Sequence, residues 1–191
     1  MQQVSFRRMD EGTPADYALL NRLEDEFVTT LPERILATLK GLEQSLAGYQ
    51  ISRLEHSLQS ATRAERDSAD IEMIVGALIH DLGDDLAPLN HSQLAAAIIR
   101  PYVRGEVAWV IEHHGVFQMY YYGDAMGVDK NAREIYRGHK WFDSCEKFCE
   151  RWDQMSFDPD YTSYPLAHFE PMVRKIFSRP PFDPHIVGDE S

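Results

Sequence analysis

The stretch DIEMIVGALIHDLGDD, residues 70–85, contains an apolar run that ends in two adjacent polar side chains, His80 and Asp81. Asp70 is a typical helix N-cap and Gly83 a typical terminator, which predicts a helix between them. An imidazole and a carboxylate beside an apolar helix face are unfavourable unless both groups have partners. The pair is therefore a candidate for binding a metal ion, and further ligands would have to come from other parts of the chain.

Helical spacing of apolar residues continues on both sides of this stretch. Thr13 is the expected N-cap of the first helix and Pro14 its first residue. No run is a convincing strand, since the only β-prone stretch, Tyr120–Tyr122, is very short. The expected fold is an all-α bundle of about eight helices in a single domain. The helical segments lie in 13–27, 31–48, 52–67, 70–84, 90–103, 105–115, 140–154 and 166–177.

Composition narrows the function classes. The net charge of −12 disfavours nucleic acid and anionic membranes as partners, since both repel an acidic surface. Two cysteines, Cys145 and Cys149, make no disulfide framework, and we expect both to pack as small apolar groups. The N-terminus lacks the apolar segment of a signal peptide, and no run reaches the roughly 20 apolar residues of a membrane span. We therefore expect a cytoplasmic protein, monomeric or dimeric.

Several histidines and one further carboxylate fall on or beside successive predicted helices. Helices that pack around a common centre can each contribute one inward-facing ligand, which is how bundles build metal sites. Imidazole and carboxylate ligands suit iron, zinc and manganese. The candidates are His56, His80, Asp81, His91, His113 or His114, and Asp153.

This order of residues, a His, the His-Asp pair, two more His and a distal Asp, resembles the HD-domain superfamily over residues 50–155. The resemblance implies an HD-domain bundle with an N-terminal helical extension, 13–47, and a C-terminal helix with a Pro-rich tail, 165–191. The four-ligand HD phosphohydrolases would use His56, His80, Asp81 and Asp153. With His91 and His114 added, the set resembles the dinuclear branch of the superfamily. That branch includes dinuclear phosphodiesterases and the mixed-valent diiron oxygenases, which are similar to myo-inositol oxygenase and to the enzymes that cleave hydroxy-phosphonates.

Three local stretches favour the oxygenase branch. HSLQSATRAERD and NHSQLAAAII resemble the first and third histidine segments of the phosphonate-cleaving enzymes. In VIEHHG, the family spacing after Ile111 indicates His114 rather than His113 as the ligand. The resemblance implies two iron ions, or alternatively Mn²⁺ or another divalent metal, and a small-molecule substrate with O₂. The expected reaction cleaves a C–P or C–C bond next to a hydroxyl, and the alternative is hydrolysis of a nucleotide or small phosphate ester.

The net charge expected for the metal site is consistent with either reaction, oxidative bond cleavage or hydrolysis of a phosphate ester. Two divalent ions with two carboxylates leave about +2 in a low-dielectric site, which attracts anions and lowers the pKa of a bound hydroxyl. The resemblance makes Asp81 the bridging ligand. His80, Asp81 and Asp84 are the expected catalytic residues.

Two positions depart from the family pattern. Asp84 stands where relatives carry a basic side chain or His, and Gln118 where the phosphonate enzymes have a Lys. Asp84 therefore either faces solvent as a loop residue or contacts a cationic part of the substrate. We expect Asp84, Gln118, His113, Tyr120 and Arg133 to contact substrate. Other basic residues are candidate anion binders or solvated surface charges, namely Arg63, Arg66, Lys130, Arg137 and Lys140.

Overall fold

A computed structural model describes residues 2–188, and over this range the chain is built from helices without any strand. The all-α prediction is confirmed. The predicted tail ends at residues 189–191, which lie outside the described range, and its described part includes one short helix. The helices are α1 (Pro14–Val28), α2 (Leu31–Gly41), α3 (Arg53–Arg66), α4 (Ile71–Ile79), α5 (His91–Ile99), α6 (Gly105–Met126), α7 (Phe142–Phe148), α8 (Leu166–Phe177) and α9 (Pro184–Val187).

Helix α4 forms the centre of the bundle. Every residue from Met73 to Ile79 is buried, as expected for a helix that is apolar on all sides. Helix α3 packs along it, and α6 and α8 contact its other faces. Its N-cap is Asp70, whose side chain accepts from the backbone N–H groups of Glu72 and Met73. The apolar run thus anchors the His-Asp pair at the centre of the molecule.

Helix α6 continues through Gly115 to Met126, so the prediction that a helix ends at Gly115 is wrong. A Cβ on Gly115 would lie 2.9 Å from the Ser92 hydroxyl oxygen, and the glycine therefore permits close packing of α5 on α6. The residue that ends the helix is Gly127, which adopts a left-handed conformation with φ of 71°. The β-prone Tyr120–Tyr122 run is consequently helical.

A π-helical turn, Cys149–Asp153, follows α7 directly. The sequence predicted one regular helix over 140–154, and π-turns of this kind are rare but frequent at functional sites. Cys145 and Cys149 are fully buried, with their thiols near the carbonyl oxygens of Val110 and His114. Their predicted packing role is confirmed.

The two N-terminal helices begin as predicted, but the second ends earlier than predicted. Helix α1 begins at a capping box between Thr13 and Asp16, followed by Pro14, as predicted. Helix α2 ends at Gly41 and not at Gly48, and Leu46 beyond it is largely exposed. None of the helices within residues 2–188 is both long and apolar enough to cross a membrane.

Candidate metal centre

Five separate elements direct polar side chains to one buried point. His56 lies on α3, His80 and Asp81 directly follow α4, and His91 is the first residue of α5. His114 lies in the middle of α6, and Asp153 ends the π-helical turn. Three overlapping groups of these residues place one ligand atom each within 4.8 Å of one another. The six residues are thus brought together as metal binding requires.

The first half of the cluster contains four side chains, His56, His80, Asp153 and one oxygen of Asp81. The Nε2 atoms of the two histidines are 3.0 Å apart, and Asp81 Oδ2 is 3.2 Å from each. Asp153 Oδ1 completes the group at 3.3 Å from His56 Nε2 and 3.5 Å from His80 Nε2. All four side chains are buried.

The second half is built around the other oxygen of Asp81. Its Oδ1 atom lies 3.3 Å from Nε2 of His91 and 3.3 Å from Nε2 of His114. These two Nε2 atoms are 3.3 Å apart. His114 is buried, whereas the His91 side chain is 25% exposed, so this half lies closer to solvent. Asp81 therefore faces both halves with one carboxylate.

Backbone carbonyls orient three of the four imidazoles. Nδ1 of His56 is 2.8 Å from the Ser156 oxygen, and Nδ1 of His80 and His114 face the carbonyls three residues earlier, at 2.8 and 2.7 Å. A carbonyl only accepts, so each Nδ1 carries the proton and donates it. Each Nε2 then directs a free lone pair into the cluster, which is the arrangement found in metal-bound histidines.

These contacts fit a divalent metal. Two Nε2 lone pairs at 3.0 Å repel one another unless a cation or a proton lies between them. Asp153 Oδ2 is buried without a hydrogen-bond partner among the described residues. Two ligands at right angles, each about 2.1 Å from one ion, are themselves about 3.0 Å apart. Nitrogen and carboxylate oxygen together suit iron, manganese or zinc.

The electrostatics of the cluster point the same way. Burial alone lowers the pKa of His80, but the carboxylates of Asp81 and Asp153 raise it well above its ordinary value. Burial alone raises the pKa of Asp81, yet the facing imidazoles hold it well below its usual range. The group thus stabilises positive charge at its centre, as protons or as metal ions.

Arg53 is a site residue that the sequence analysis missed. It is buried on the first turn of α3, and its Nη2 lies 2.5 Å from Asp81 Oδ2. Its Nε donates to Asp84 Oδ2 at 2.6 Å. Asp84 Oδ1 lies 3.5 Å from Nδ1 of His91. Asp84 is thus neither turned to solvent nor open to a substrate cation, because Arg53 and His91 already contact its carboxylate. The one available signal was that Arg53 precedes His56 by one helical turn.

A cavity of about 520 Å³ opens onto the cluster. Three aromatic side chains, Tyr49, Tyr122 and Phe157, line it together with Gln118. Gln118 donates from Nε2 to Asp153 Oδ1 at 2.9 Å, and its own Oε1 has no partner within the described chain. Phe157 belongs to the 157–165 loop and stacks on His56 with ring centres 4.2 Å apart. This loop therefore covers the His56 side of the cluster.

Four of the five expected substrate-contacting residues do not line this cavity: Asp84, whose carboxylate Arg53 and His91 contact, and His113, Tyr120 and Arg133. His113 stacks on Trp109 and donates to its carbonyl oxygen, away from the cluster. Arg133 is buried against Tyr120 and pairs with Glu146. For His113 and Tyr120 the reason is the continuous helix α6, in which His114, Gln118 and Tyr122 share one face at a spacing of four residues. His113 and Tyr120 fall outside that face.

Comparisons with known proteins agree with this geometry. The profile of the family described as "HD domain" matches residues 53–155. A curated relative from Leisingera caerulea, [1-hydroxy-2-(trimethylamino)ethyl]phosphonate dioxygenase (glycine-betaine-forming), is 27% identical over 89 residues. The match covers 41% of this chain and 45% of that protein, less than half of either.

Proposed function

Because this chain belongs to the HD-domain family, we propose that it is a non-haem diiron oxygenase that cleaves a C–P bond next to a hydroxyl. The same chemistry on a C–C bond is the nearest variant. Two iron ions would be held by His56, His80, Asp81 and Asp153 on one side and by Asp81, His91 and His114 on the other. The observation that carries the proposal is Asp81, whose two oxygens face two separate pairs of histidines.

The second pair of histidines supports an oxygenase over a four-ligand phosphohydrolase. The phosphohydrolase set needs only His56, His80, Asp81 and Asp153. His91 and His114 add a second group of nitrogen donors, each 3.3 Å from Asp81 Oδ1. A relative named as a phosphonate dioxygenase supports the same branch.

The cavity suggests which small molecule would bind. Arg53, the only Lys or Arg among its described lining residues, already pairs with Asp81 and Asp84, so an oxyanion would be held by the two metal ions. Tyr49, Tyr122 and Phe157 offer aromatic faces, which attract an alkylammonium group. The relative's name contains both a phosphonate and a trimethylamino group. We therefore propose a small 1-hydroxyalkyl phosphonate as substrate, with a cationic head.

When bound, two iron ions would polarise the substrate hydroxyl and supply the electrons that activate O₂. The chain itself would orient and shield the reactants. Arg53 holds the carboxylates of Asp81 and Asp84, and Gln118 holds Asp153. Phe157, which stacks on His56, would shield that side of the centre from water. One oxygen atom of O₂ would enter each product, so the substrate would yield a carboxylate, inorganic phosphate and a proton.

The decisive experiment combines metal analysis with product detection. Protein from iron-supplemented cells should contain about two irons per chain and show the EPR signal of a mixed-valent pair. With (1-hydroxy-2-(trimethylamino)ethyl)phosphonate, it should consume O₂ and release phosphate in equal amounts. Protein active only with manganese or magnesium, hydrolysing phosphate esters without O₂, would refute the oxygenase and indicate a phosphohydrolase.

His91→Ala is the variant that separates the two site architectures. Loss of one imidazole from the second half should reduce iron to about one per chain and abolish O₂ consumption. His113→Ala, its matched control, removes an imidazole that stacks on Trp109 outside the cluster and should leave the iron content unchanged. Unchanged iron and activity in His91→Ala would show that the six-residue assignment is wrong.

A further inference from the structure

A second cleft, of about 230 Å³, lies at the C-terminal end of α3, and its lining shares no residue with the metal-centre cavity. Three arginines dominate it on a chain whose net charge is −12. Trp152 and Tyr161 form its aromatic part. The lining consists of Arg63, Arg66, Asp67, Arg151, Trp152 and Tyr161.

Asp67 is the one acidic side chain in this lining and is already neutralised. Its Oδ1 pairs with Arg151 at 2.5 Å, and its Oδ2 lies 3.6 Å from Lys147. The same oxygen accepts from the indole N–H of Trp152 at 3.2 Å. The carboxylate therefore leaves the charges of Arg63 and Arg66 uncompensated.

Arg63 and Arg66 are held in place by Tyr161 and its neighbour. Arg66 donates to the Tyr161 hydroxyl at 2.8 Å and to the Thr162 carbonyl at 3.0 Å. The Arg63 guanidinium lies over the Tyr161 ring, 3.8 Å from its centre. Its Nε is buried and has no hydrogen-bond partner within residues 2–188. Arg63 and Arg66 line the cleft and pair with no carboxylate of the described chain, so an anion bound there would supply their missing counter-charge.

The shape of the cleft selects a small anion. Trp152 is almost wholly buried, and the Tyr161 ring already contacts two guanidinium groups, so no free aromatic face is left for a nucleotide base. Planar guanidinium groups match the geometry of phosphate oxygens. From these contacts we propose that Arg63 and Arg66, beside the Arg151–Asp67 ion pair, form a binding site for a phosphate-class dianion. Because it lies apart from the metal centre, this site does not depend on the proposed reaction.

Thermal unfolding in a phosphate titration tests the site, with ionic strength held constant by sodium chloride. Ligand binding to the folded state raises Tm in a saturable way. We expect such a rise with inorganic phosphate. Glycerol phosphate serves as the second probe. If it half-saturates the site at a lower concentration than inorganic phosphate does, the ligand is a phosphate monoester. If inorganic phosphate half-saturates the site at the lower concentration, the ligand is the free ion.

Arg66→Gln, on an exposed side chain, should raise the phosphate concentration for half-saturation by roughly tenfold. Arg63→Gln combined with it should abolish the rise. Arg137→Gln is the matched control, since Arg137 is exposed and its ion pair with Glu134 lies at a distant site. Asp153→Asn, which alters the metal centre, should keep the rise. No rise in the wild type, or a rise lost in Asp153→Asn but kept in Arg66→Gln, would overturn the proposal.

Discussion

Asp81 presents each of its oxygens to a different pair of histidines, and Arg53 contacts one of those oxygens from the cavity side. Arg53 also binds Asp84, whose other oxygen lies 3.5 Å from Nδ1 of His91. A carboxylate beside the outer nitrogen of a metal-binding imidazole fixes its orientation and raises its basicity. Asp84 therefore acts on the second half of the site through His91.

We expect Asp84→Asn to weaken metal binding roughly ten- to hundred-fold, the usual effect of removing such a carboxylate. The affinity of the second half for metal should fall more than that of the first half, since Asp84 lies near His91 and not near His56. Competition with a chromogenic chelator would measure both affinities.

Asp85→Asn is the matched control for this change. Asp85 is the next residue along the chain, is exposed, and accepts a hydrogen bond from Ser45. The same loss of metal affinity in both variants would mean that the acidic loop acts only by its charge. A loss confined to Asp84→Asn would support orientation of His91.

The ordered set of histidines and aspartates could be found in the sequence because each residue type is characteristic of metal binding. Arg53 could not, since a charged residue at a helix start usually faces solvent. Its burial follows from the acidic groups that later parts of the chain bring to it. The role of Asp84 was left open for the same reason.

At the scale of elements, Gly83 allows the turn after α4 to lie close to the start of α5, the helix that carries His91. The turn after Asp81 passes directly over the start of α5. A Cβ on Gly83 would lie 2.8 Å from the His91 carbonyl oxygen and 3.0 Å from its Cα. Since these are backbone atoms, they cannot move aside as a flexible side chain would.

Gly83→Ala should therefore displace the first turn of α5, destabilising the fold by about 1–3 kcal/mol and weakening the second metal affinity. Gly41→Ala is the control, because no atom lies within 4 Å of a Cβ there. Chemical denaturation and metal titration of both variants would check this. If the two variants behaved alike, close packing at Gly83 would not position His91.

The capping box of α1 makes its stability depend on pH. Hydrogen bonds from the Thr13 hydroxyl and from the backbone N–H groups of Ser5 and Thr13 lower the pKa of Asp16 to about 2. The stabilisation is complete above the ordinary pKa of about 3.9 and is lost as pH falls toward 2.

Asp16→Asn should thus be less stable than the wild type at pH 6, and the difference should shrink steadily below pH 4. Urea unfolding across this range measures it. Asp25→Asn is a suitable control, since Asp25 is an exposed residue of α1 outside the capping box. A difference that stays constant between pH 6 and pH 3 would contradict the role of the carboxylate.

Local sequence signals predicted most of the helices, but they were wrong where tertiary contacts determine where a helix ends or which type of helix forms. Gly115 has the sequence character of a helix end, yet it is a packing residue beside Ser92. The π-helical turn at Asp153 has no local signature, and it depends on how α7 and the following loop fit the bundle. Both failures bear on the site, because Gln118 and Tyr122 lie beyond Gly115 and Asp153 ends the turn.

For the whole molecule, the metal centre is the point where α3, α4, α5, α6 and the π-helical turn meet. Two buried carboxylates and four imidazoles at this junction are stable together only with positive charge between them. Metal ions would supply that charge and join five elements that are distant in sequence. Binding to the folded chain alone would stabilise it by about 4 kcal/mol at a metal concentration roughly a thousand times Kd.

Removal of metal should accordingly lower Tm by several degrees and loosen the junction more than the periphery. Hydrogen exchange would show this as faster exchange in the turn after α4 and at the start of α5, with α8 little changed, since α8 packs on α2 and α4 away from the ligands. Restoring iron should reverse both effects, whereas in Asp153→Asn, which lacks one ligand charge, iron should restore only part of the Tm. Equal stability with and without metal would show that hydrogen bonds and bound protons alone hold the six side chains together. The cluster would then form without metal, and metal binding would not be needed for the fold.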